Sequence, residues 1–170
     1  MAGKMAIIGA GPIGTEAATL ALREGWNVTV YEAGRPGSSV RRWEHVRFFS
    51  PWGLNQSQWG REILHTSFDN DAYPTGKEYL DQYLLPLAAT LGDVLKTQTR
   101  VRGISRRDAL KSDFIGSRQE KSGPFLLHID GPDGESYVEA DVVLDTSGVY
   151  EHPASLGTGG LQAIGEDGAA

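Results

Sequence analysis

The segment from residue 5 to residue 32 most constrains what this chain can fold into. It contains a short apolar run, the sequence Gly9-Ala10-Gly11-Pro12-Ile13-Gly14, a helical stretch, a second apolar run and then Glu32. This order places G-x-G-x-x-G in a strand–turn–helix–strand unit, the setting in which the motif binds a dinucleotide. Gly9 is expected to permit the tight turn, Gly11 to let a pyrophosphate approach the backbone, and Gly14 to let the helix pack closely.

Glu32 lies 18 residues after the last glycine of the motif. An acid at the end of the second strand accepts hydrogen bonds from the ribose hydroxyls of the bound nucleotide, and a carboxylate there repels a 2′-phosphate. The motif therefore favours FAD or NAD over NADP at this site. The alternative, a surface glycine turn without a ligand, is weaker because strand, turn, helix and acid occur together.

Composition excludes several classes of function. The 170 residues contain no cysteine, so this chain cannot supply a Cys-x-x-Cys redox pair or a thiolate zinc site. The net charge of −6 and the absence of a basic stripe argue against a nucleic-acid partner. No apolar run reaches the length of a membrane span, so neither a membrane-bound nor a secreted protein is expected, and a soluble cytoplasmic protein is predicted.

Two helices are predicted with defined faces and ends. Ile13, Ala17, Leu20 and Ala21 lie at helical spacing after the glycine turn, which predicts an apolar stripe toward the sheet. Further along, Thr75 and Glu78 have the spacing of a capping box and predict the start of a second helix. Pro86 lies inside this helix and is expected to kink it.

The segment between these helices is rich in aromatic and basic residues. It contains Trp43, Trp52 and Trp59, with Arg42 and Arg47 among them. One interpretation is a cover over a cofactor, with one of the arginines close to phosphate. The other is a satellite aromatic cluster that packs an irregular segment. The sequence leaves both open.

The second half of the chain changes to a β pattern. Residues 97–104 alternate loosely, and residues 125–130 and 135–139 flank Gly131-Pro132-Asp133-Gly134, a hairpin signal. These three segments predict an antiparallel meander. The apolar run 140–145 predicts a buried strand, which is followed by Thr146-Ser147-Gly148.

These features together resemble the FAD-binding domain of the two-dinucleotide-binding flavoproteins. That superfamily includes the flavin-containing monooxygenases and the pyridine nucleotide-disulfide reductase-like oxidoreductases. The glycine motif with Glu32, the order of the segments and the run 142–148 carry the resemblance. Segments 40–52 and 145–150 resemble bacterial FAD/NAD(P)-dependent oxidoreductases more closely.

The resemblance implies an α/β architecture, a Rossmann-like FAD/NAD(P)-binding fold in which a parallel sheet carries a three-stranded antiparallel meander. It implies an FAD-binding domain over residues 1–150, with a helical insertion at about 41–92 and the meander at about 97–140. Residues 151–170 are expected to be a glycine-rich tail at the start of a second domain. Proteins of this kind continue into a second nucleotide-binding domain, so the chain is expected to be the N-terminal part of a larger or shortened enzyme.

The function implied is an FAD-dependent oxidoreductase, monooxygenase-like or reductase-like, with FAD as cofactor and NAD(P)H as co-substrate. The alternatives are an NAD-dependent dehydrogenase domain and a non-catalytic nucleotide-binding module. The substrate is an unidentified small molecule, and a homodimer or a partner that supplies the missing half is expected. Neither a metal site nor a catalytic side chain is predicted. The expected cofactor-binding residues are Gly9, Gly11, Pro12, Ile13, Gly14, Glu32, Ala33, Arg42, Trp43, Val101, Ser147 and Gly148.

Overall fold

Two β-sheets and a group of short helices make up the chain in the computed structural model, which describes residues 2–110, 123–150 and 154–166. The strands are β1 (Lys4–Ile8), β2 (Asn27–Tyr31), β3 (Leu95–Lys96), β4 (Arg100–Arg106), β5 (Phe125–Gly131), β6 (Gly134–Ala140) and β7 (Val142–Asp145). The helices are α1 (Pro12–Arg23), α2 (Ser38–Arg42), α3 (Gln58–Leu64), α4 (Gly76–Tyr79) and α5 (Leu85–Ala89).

Strand β1 forms the centre of a four-stranded sheet within the described residues, in the order β3-β2-β1-β7. All of its pairings are parallel, with Ala6 opposite Thr29 on one side and Val143 on the other. The predicted α/β class and the positions of the first two strands are confirmed. Strand β3 was not predicted, because two residues are too short to carry an alternating pattern.

Helix α1 packs on one face of this sheet through its small residues. The buried positions are Gly14, Thr15, Ala18, Thr19 and Ala21. The predicted stripe was wrong at Ile13 and Leu20, which are 70% and 40% exposed, and right at Ala21, which is buried, and at Ala17, which packs against the core. The small face is the buried one because it lets the helix lie close to strands whose inward side chains already fill the space between the layers.

The meander covers the opposite face of the parallel sheet. Strands β4, β5 and β6 form an antiparallel sheet in that order, as predicted. Ala6, Tyr31, Leu127 and Ala140 form the buried contact between the two sheets. Because β1 is covered on both faces, its side chains are apolar on both sides, as is usual for parallel sheets.

The segment between β2 and β3 folds around its own aromatic core. The buried side chains of this satellite cluster include Trp52, Tyr79, Tyr83 and Leu84. The Trp52 ring stacks on Phe68 with centroids 4.1 Å apart. The satellite-cluster interpretation thus describes the packing of this segment, although part of the cluster also borders the cavities described below.

The predicted helix after Thr75 is present, and its capping box is formed in full. Between α4 and α5 the backbone makes a π-helical turn over Leu80–Leu84. This irregular turn lies directly before Pro86, which lacks an N–H and whose ring crowds the preceding carbonyl groups. The predicted kink therefore takes the form of a widened turn.

The ends of the predicted tail, residues 151–153 and 167–170, fall outside the described residues. The described part of the tail contains a short turn at Thr158–Gly160. Among the described residues there is no helix with the length and apolar character needed to cross a bilayer.

Replacing Gly14 by alanine is expected to destabilise the fold. A Cβ atom at this position would lie 1.9 Å from the Gly9 carbonyl oxygen, a backbone atom that cannot move without opening the turn. We expect the free energy of unfolding to fall by about 3 kcal/mol in urea denaturation. Gly11→Ala is the matched control, because its Cβ meets nothing within 4 Å, and a change within about 1 kcal/mol is expected. Equal losses for the two variants would contradict this account.

Candidate functional site: a nucleotide cleft

A large cleft lies where the parallel strands end. Its volume is about 800 Å³, within the range of cofactor sites, and it opens at the carboxyl ends of β1, β2 and β7. In open α/β sheets ligands bind at this edge. The first strand of the meander forms the far wall of the cleft, so the two sheets enclose it between them.

The glycine turn forms the floor of the cleft. Gly9 has a φ of +94°, and its N–H donates to the Tyr31 carbonyl at 2.8 Å, which ties the turn to β2. Gly14 packs inside the turn against Gly9. Gly11 has an ordinary φ of −78°, and a Cβ built there would meet no protein atom within 4 Å. The space over Gly11 is thus open to a ligand.

The N-terminus of α1 points at this open space. Gly11 is the N-cap and Pro12 the first residue of the helix, no side chain caps it, and its first turn contains no acid. The N–H groups of a first helical turn have no partner inside the helix. Together with the positive end of the helix dipole, they make this floor suited to a pyrophosphate.

Glu32 stands at the end of β2 and lines the cleft. Its two carboxylate oxygens accept hydrogen bonds from the N–H groups of Ala10 and Gly34, each at 2.7 Å. Each oxygen keeps one further acceptor position. Among the described residues no ion pair to this carboxylate is present. The acid therefore fixes the glycine turn and still offers two acceptors, the number that a ribose diol needs.

The end of β7 closes the floor from the other side. The Thr146 hydroxyl donates to the carbonyl oxygens of Ile8 at 2.7 Å and Gly9 at 3.2 Å. Asp145 accepts hydrogen bonds from the Ser147 hydroxyl at 2.7 Å and from the Ser147 N–H at 3.0 Å. These bonds hold the pKa of Asp145 below its ordinary value, the hydroxyl bond contributing most. The carboxylate thus shapes the turn that presents Gly148 to the cleft.

The wall of the meander meets the end of the cleft at which Glu32 lies. The N–H of Thr99 donates to the Glu32 carbonyl at 2.9 Å, which joins the start of β4 to the end of β2. The register of β4 against β5 shifts between Val101 and Gly103, so that Arg102 has no direct partner in the ladder. Val101 lies beside this bulge and lines the cleft.

The two arginines singled out from the sequence lie in different places. Arg42 lines the cleft, and its guanidinium carbon lies 5.4 Å from the centre of the Tyr150 ring. Arg47 instead donates a hydrogen bond to the Tyr73 carbonyl, in a segment that pairs with Thr75. Of the two, only Arg42 lines the cleft.

Ten of the twelve residues predicted to bind the cofactor line the cleft. The two others are Gly14, which is buried inside the turn, and Trp43, which contacts Phe48 with ring centroids 5.1 Å apart. Trp43 lines a second cavity of about 380 Å³, called the chamber here. Pro12 and Ile13 border both cavities, so the chamber adjoins the cleft at the start of α1.

The comparisons with known proteins agree with this geometry. The family described as pyridine nucleotide-disulphide oxidoreductase matches residues 6–115, which is more than half of the chain. The chain belongs to this family. The match begins in β1 and includes the glycine turn, Glu32, the helical insertion and β4.

Solved structures with the same fold include a disulfide reductase and a monooxygenase. Bacillithiol disulfide reductase from Bacillus cereus is 19% identical with a TM-score of 0.68, and the match covers 92% of this chain and 43% of that one. A mutant cyclohexanone monooxygenase from Rhodococcus sp. Phi1, bound to NADP+, is 19% identical with a TM-score of 0.64, covering 87% and 26%. OTEMO in complex with FAD and NADP is 19% identical with a TM-score of 0.59, covering 86% and 26%.

The chain therefore spans less than half the length of these structures. The search of curated proteins gave no match. At this level of identity the likeness establishes the fold, while the reaction has to be argued from the site.

Sequence reasoning missed several residues that build the cleft. Thr146 was noted only as part of a run after a strand, yet its hydroxyl holds the glycine turn. Ala10 and Gly34 supply the N–H groups that orient Glu32. The signal for Thr146 was a hydroxyl residue directly after a parallel strand, whereas the two main-chain donors carry no residue-type signal at all.

Replacing Ser147 by alanine is expected to raise the pKa of Asp145 toward its ordinary value. Because the pKa of Asp145 is depressed in the folded state, its contribution to stability is present above the unfolded pKa and is lost as the pH falls through the folded pKa. The variant should thus be less stable than the wild type at neutral pH, and the difference should shrink at low pH. Carboxyl NMR titration measures the pKa, and an unchanged value would contradict the role given to Ser147.

Proposed function

We propose that this chain is the FAD-binding part of an FAD-dependent oxidoreductase. The observation that carries the proposal is the open floor of the cleft, where Gly11 presents bare backbone at the uncapped N-terminus of α1. A diphosphate is the group that such a floor recognises. The family assignment and the complexes with FAD and NADP among the similar structures support it.

In this proposal FAD lies along the cleft, and each predicted residue has a role. The turn from Gly9 to Ile13 holds the pyrophosphate through main-chain N–H groups, and Glu32 holds the adenosine ribose. Ala33 lies beside the ribose, and the main chain of Val101 pairs with the adenine. Ser147 and Gly148 approach the dinucleotide from the end of β7, and Arg42 lies within reach of its negative charge.

Bound FAD supplies the hydride and oxygen chemistry of such enzymes, and the protein positions it. NAD(P)H is the proposed co-substrate. The chain contains no cysteine, so it contributes no thiol to a disulfide exchange. This absence weighs against a disulfide reduction carried out by residues of this chain. We propose that NAD(P)H binds to a partner that supplies the rest of the enzyme, since the chain spans less than half the length of the similar structures.

The meander weighs against an NAD-dependent dehydrogenase. A plain dinucleotide-binding domain continues from its first half with further alternating strands and helices. Here the chain leaves the sheet after β3, forms three antiparallel strands and then returns as β7 beside β1. A non-catalytic nucleotide-binding module is compatible with the same cleft, and only turnover separates it from the enzyme.

Gly11→Val is expected to weaken cofactor binding without unfolding the protein. A Cβ atom built at Gly11 meets no atom from elsewhere in the chain within 4 Å. The backbone at Gly11 has a φ of −78° and a ψ of −172°, an extended conformation that valine also adopts. The new side chain would occupy the approach to the backbone that a pyrophosphate requires. In fluorescence titration we expect FAD affinity to fall at least about tenfold, with the melting temperature nearly unchanged. Full FAD affinity in this variant would contradict the proposed site.

FAD should bind the wild-type chain more tightly than NAD in calorimetry. Because NAD and FAD share the ADP moiety, the expected difference in affinity comes from the flavin half, on the other side of the pyrophosphate from the adenosine. Tighter binding of NAD would favour the dehydrogenase alternative. If FAD binds and no electron acceptor supports NAD(P)H turnover, even with the remainder of the enzyme supplied, the module without catalysis is the correct description.

A further inference from the structure

Two chain segments approach each other at the cleft from opposite sides of the glycine turn. In the order β3-β2-β1-β7, strand β1 and its turn lie between β2 and β7. The segment after β2 leads through α2 to Arg42, and the segment after β7 leads to Tyr150. Both residues line the cleft, and the Arg42 guanidinium carbon lies over the Tyr150 ring, 5.4 Å from its centre. This pair, the clasp, joins the two sides of the cleft.

The Arg42 side of the clasp is firmly anchored. The N–H of Gly37, directly before α2, donates to the Ala10 carbonyl in the glycine turn at 3.0 Å. Val40, two residues before Arg42, is buried in the aromatic core of the insertion. The backbone that carries Arg42 is thus tied both to the floor of the cleft and to a hydrophobic core.

The Tyr150 side of the clasp is held by fewer contacts. Val149 is exposed, and nearly half of the Tyr150 surface is exposed as well. Gly148 has a φ of +69°, which glycine adopts without strain, and a Cβ atom built there would meet nothing within 4 Å. Among the described residues, Arg42 is the one cation that contacts the Tyr150 ring. The position of this ring over the cleft therefore depends on Arg42.

The Arg42 guanidinium is able to contact an aromatic ring and a diphosphate at the same time. Its planar face stacks on a ring, while the N–H groups along its edge donate to phosphate oxygens. A cation–π contact is weak at an exposed site and becomes stronger when water is excluded from it. A dinucleotide on the floor of the cleft would shield one side of the clasp, so that the ligand and the clasp stabilise each other.

We propose that Tyr150 retains the bound dinucleotide by holding the Arg42 guanidinium over its pyrophosphate. Tyr150 is not among the residues that the sequence predicts to bind the cofactor, and it acts as a positioning residue through Arg42. As an account of FAD retention this rests on the proposed function. The clasp itself acts on any nucleoside diphosphate that lies on the floor.

The rate of FAD release from the full chain into an excess of ADP, followed by flavin fluorescence, tests the proposal. Tyr150→Leu should release FAD about tenfold faster with little change in the association rate, because the loss of a contact formed after docking acts on dissociation. Tyr150→Phe keeps the ring and should release FAD within about twofold of the wild-type rate. Arg42→Lys keeps the charge but loses the planar face, and should release FAD about as fast as Tyr150→Leu.

A second tyrosine and a double variant serve as controls. Tyr137 is exposed on β6 and contacts His128 rather than the cleft, so Tyr137→Leu should leave the release rate unchanged. Arg42→Lys combined with Tyr150→Leu should release FAD no faster than about twice the rate of either single variant, because both changes remove the same contact. The melting temperatures should be nearly equal throughout, since the changed side chains are exposed or half-exposed.

An unchanged release rate in Tyr150→Leu would overturn the proposal, and so would equally fast release in Tyr150→Phe, which would assign retention to the hydroxyl group. Multiplicative effects in the double variant would show that the two residues act independently, against the clasp. ADP affinity, measured by calorimetry, should also fall about tenfold in Tyr150→Leu. FAD binding with unchanged release refutes the clasp alone, whereas the expected loss of ADP affinity in a chain that takes up no FAD refutes the cofactor assignment alone.

Discussion

The close contact between the glycine turn and helix α1 is the constraint on which the rest of this structure depends. Gly14 lies so near the Gly9 carbonyl that no larger residue fits, and Thr146 bonds the carbonyl oxygens of Ile8 and Gly9 from the end of β7. The neighbouring elements β1 and α1 and the sequence-distant strand β7 are thus fixed at one point. The mouth of the sheet is rigid there because backbone atoms, rather than flexible side chains, meet.

This rigidity explains why the cleft can recognise charge with few charged side chains. The turn leaves helical N–H groups facing the open space above Gly11, and Glu32 is held by two main-chain donors of its own. Groups fixed in this way need no reordering when a ligand arrives, so little entropy is lost on binding. A floor of this kind depends on a few glycines and one acid, which is consistent with a shared fold at 19% identity.

The helical insertion between β2 and β3 has a hydrophobic core of its own. Its aromatic core orders the segment that carries Trp43 and Ser57, and Tyr83 connects that core to Glu16 on α1. The same buried tyrosine therefore supports the fold and orients an acid at the chamber. A hydroxyl in the core is tolerated because its donor and its acceptor capacity are both used.

The sequence by itself determined the strand–turn–helix–strand unit, the meander, the capping box at Thr75 and the glycine turn and acid of the cleft, because each is encoded by local spacing or by residues that a turn requires. It did not determine which face of α1 is buried, since Ile13 and Leu20 have the apolar character of core residues and only the closeness of the sheet selects the small face. Nor could it find the bonds of Thr146, Ser57 or Tyr83. Those contacts join positions up to 138 residues apart, and only the folded backbone brings them together.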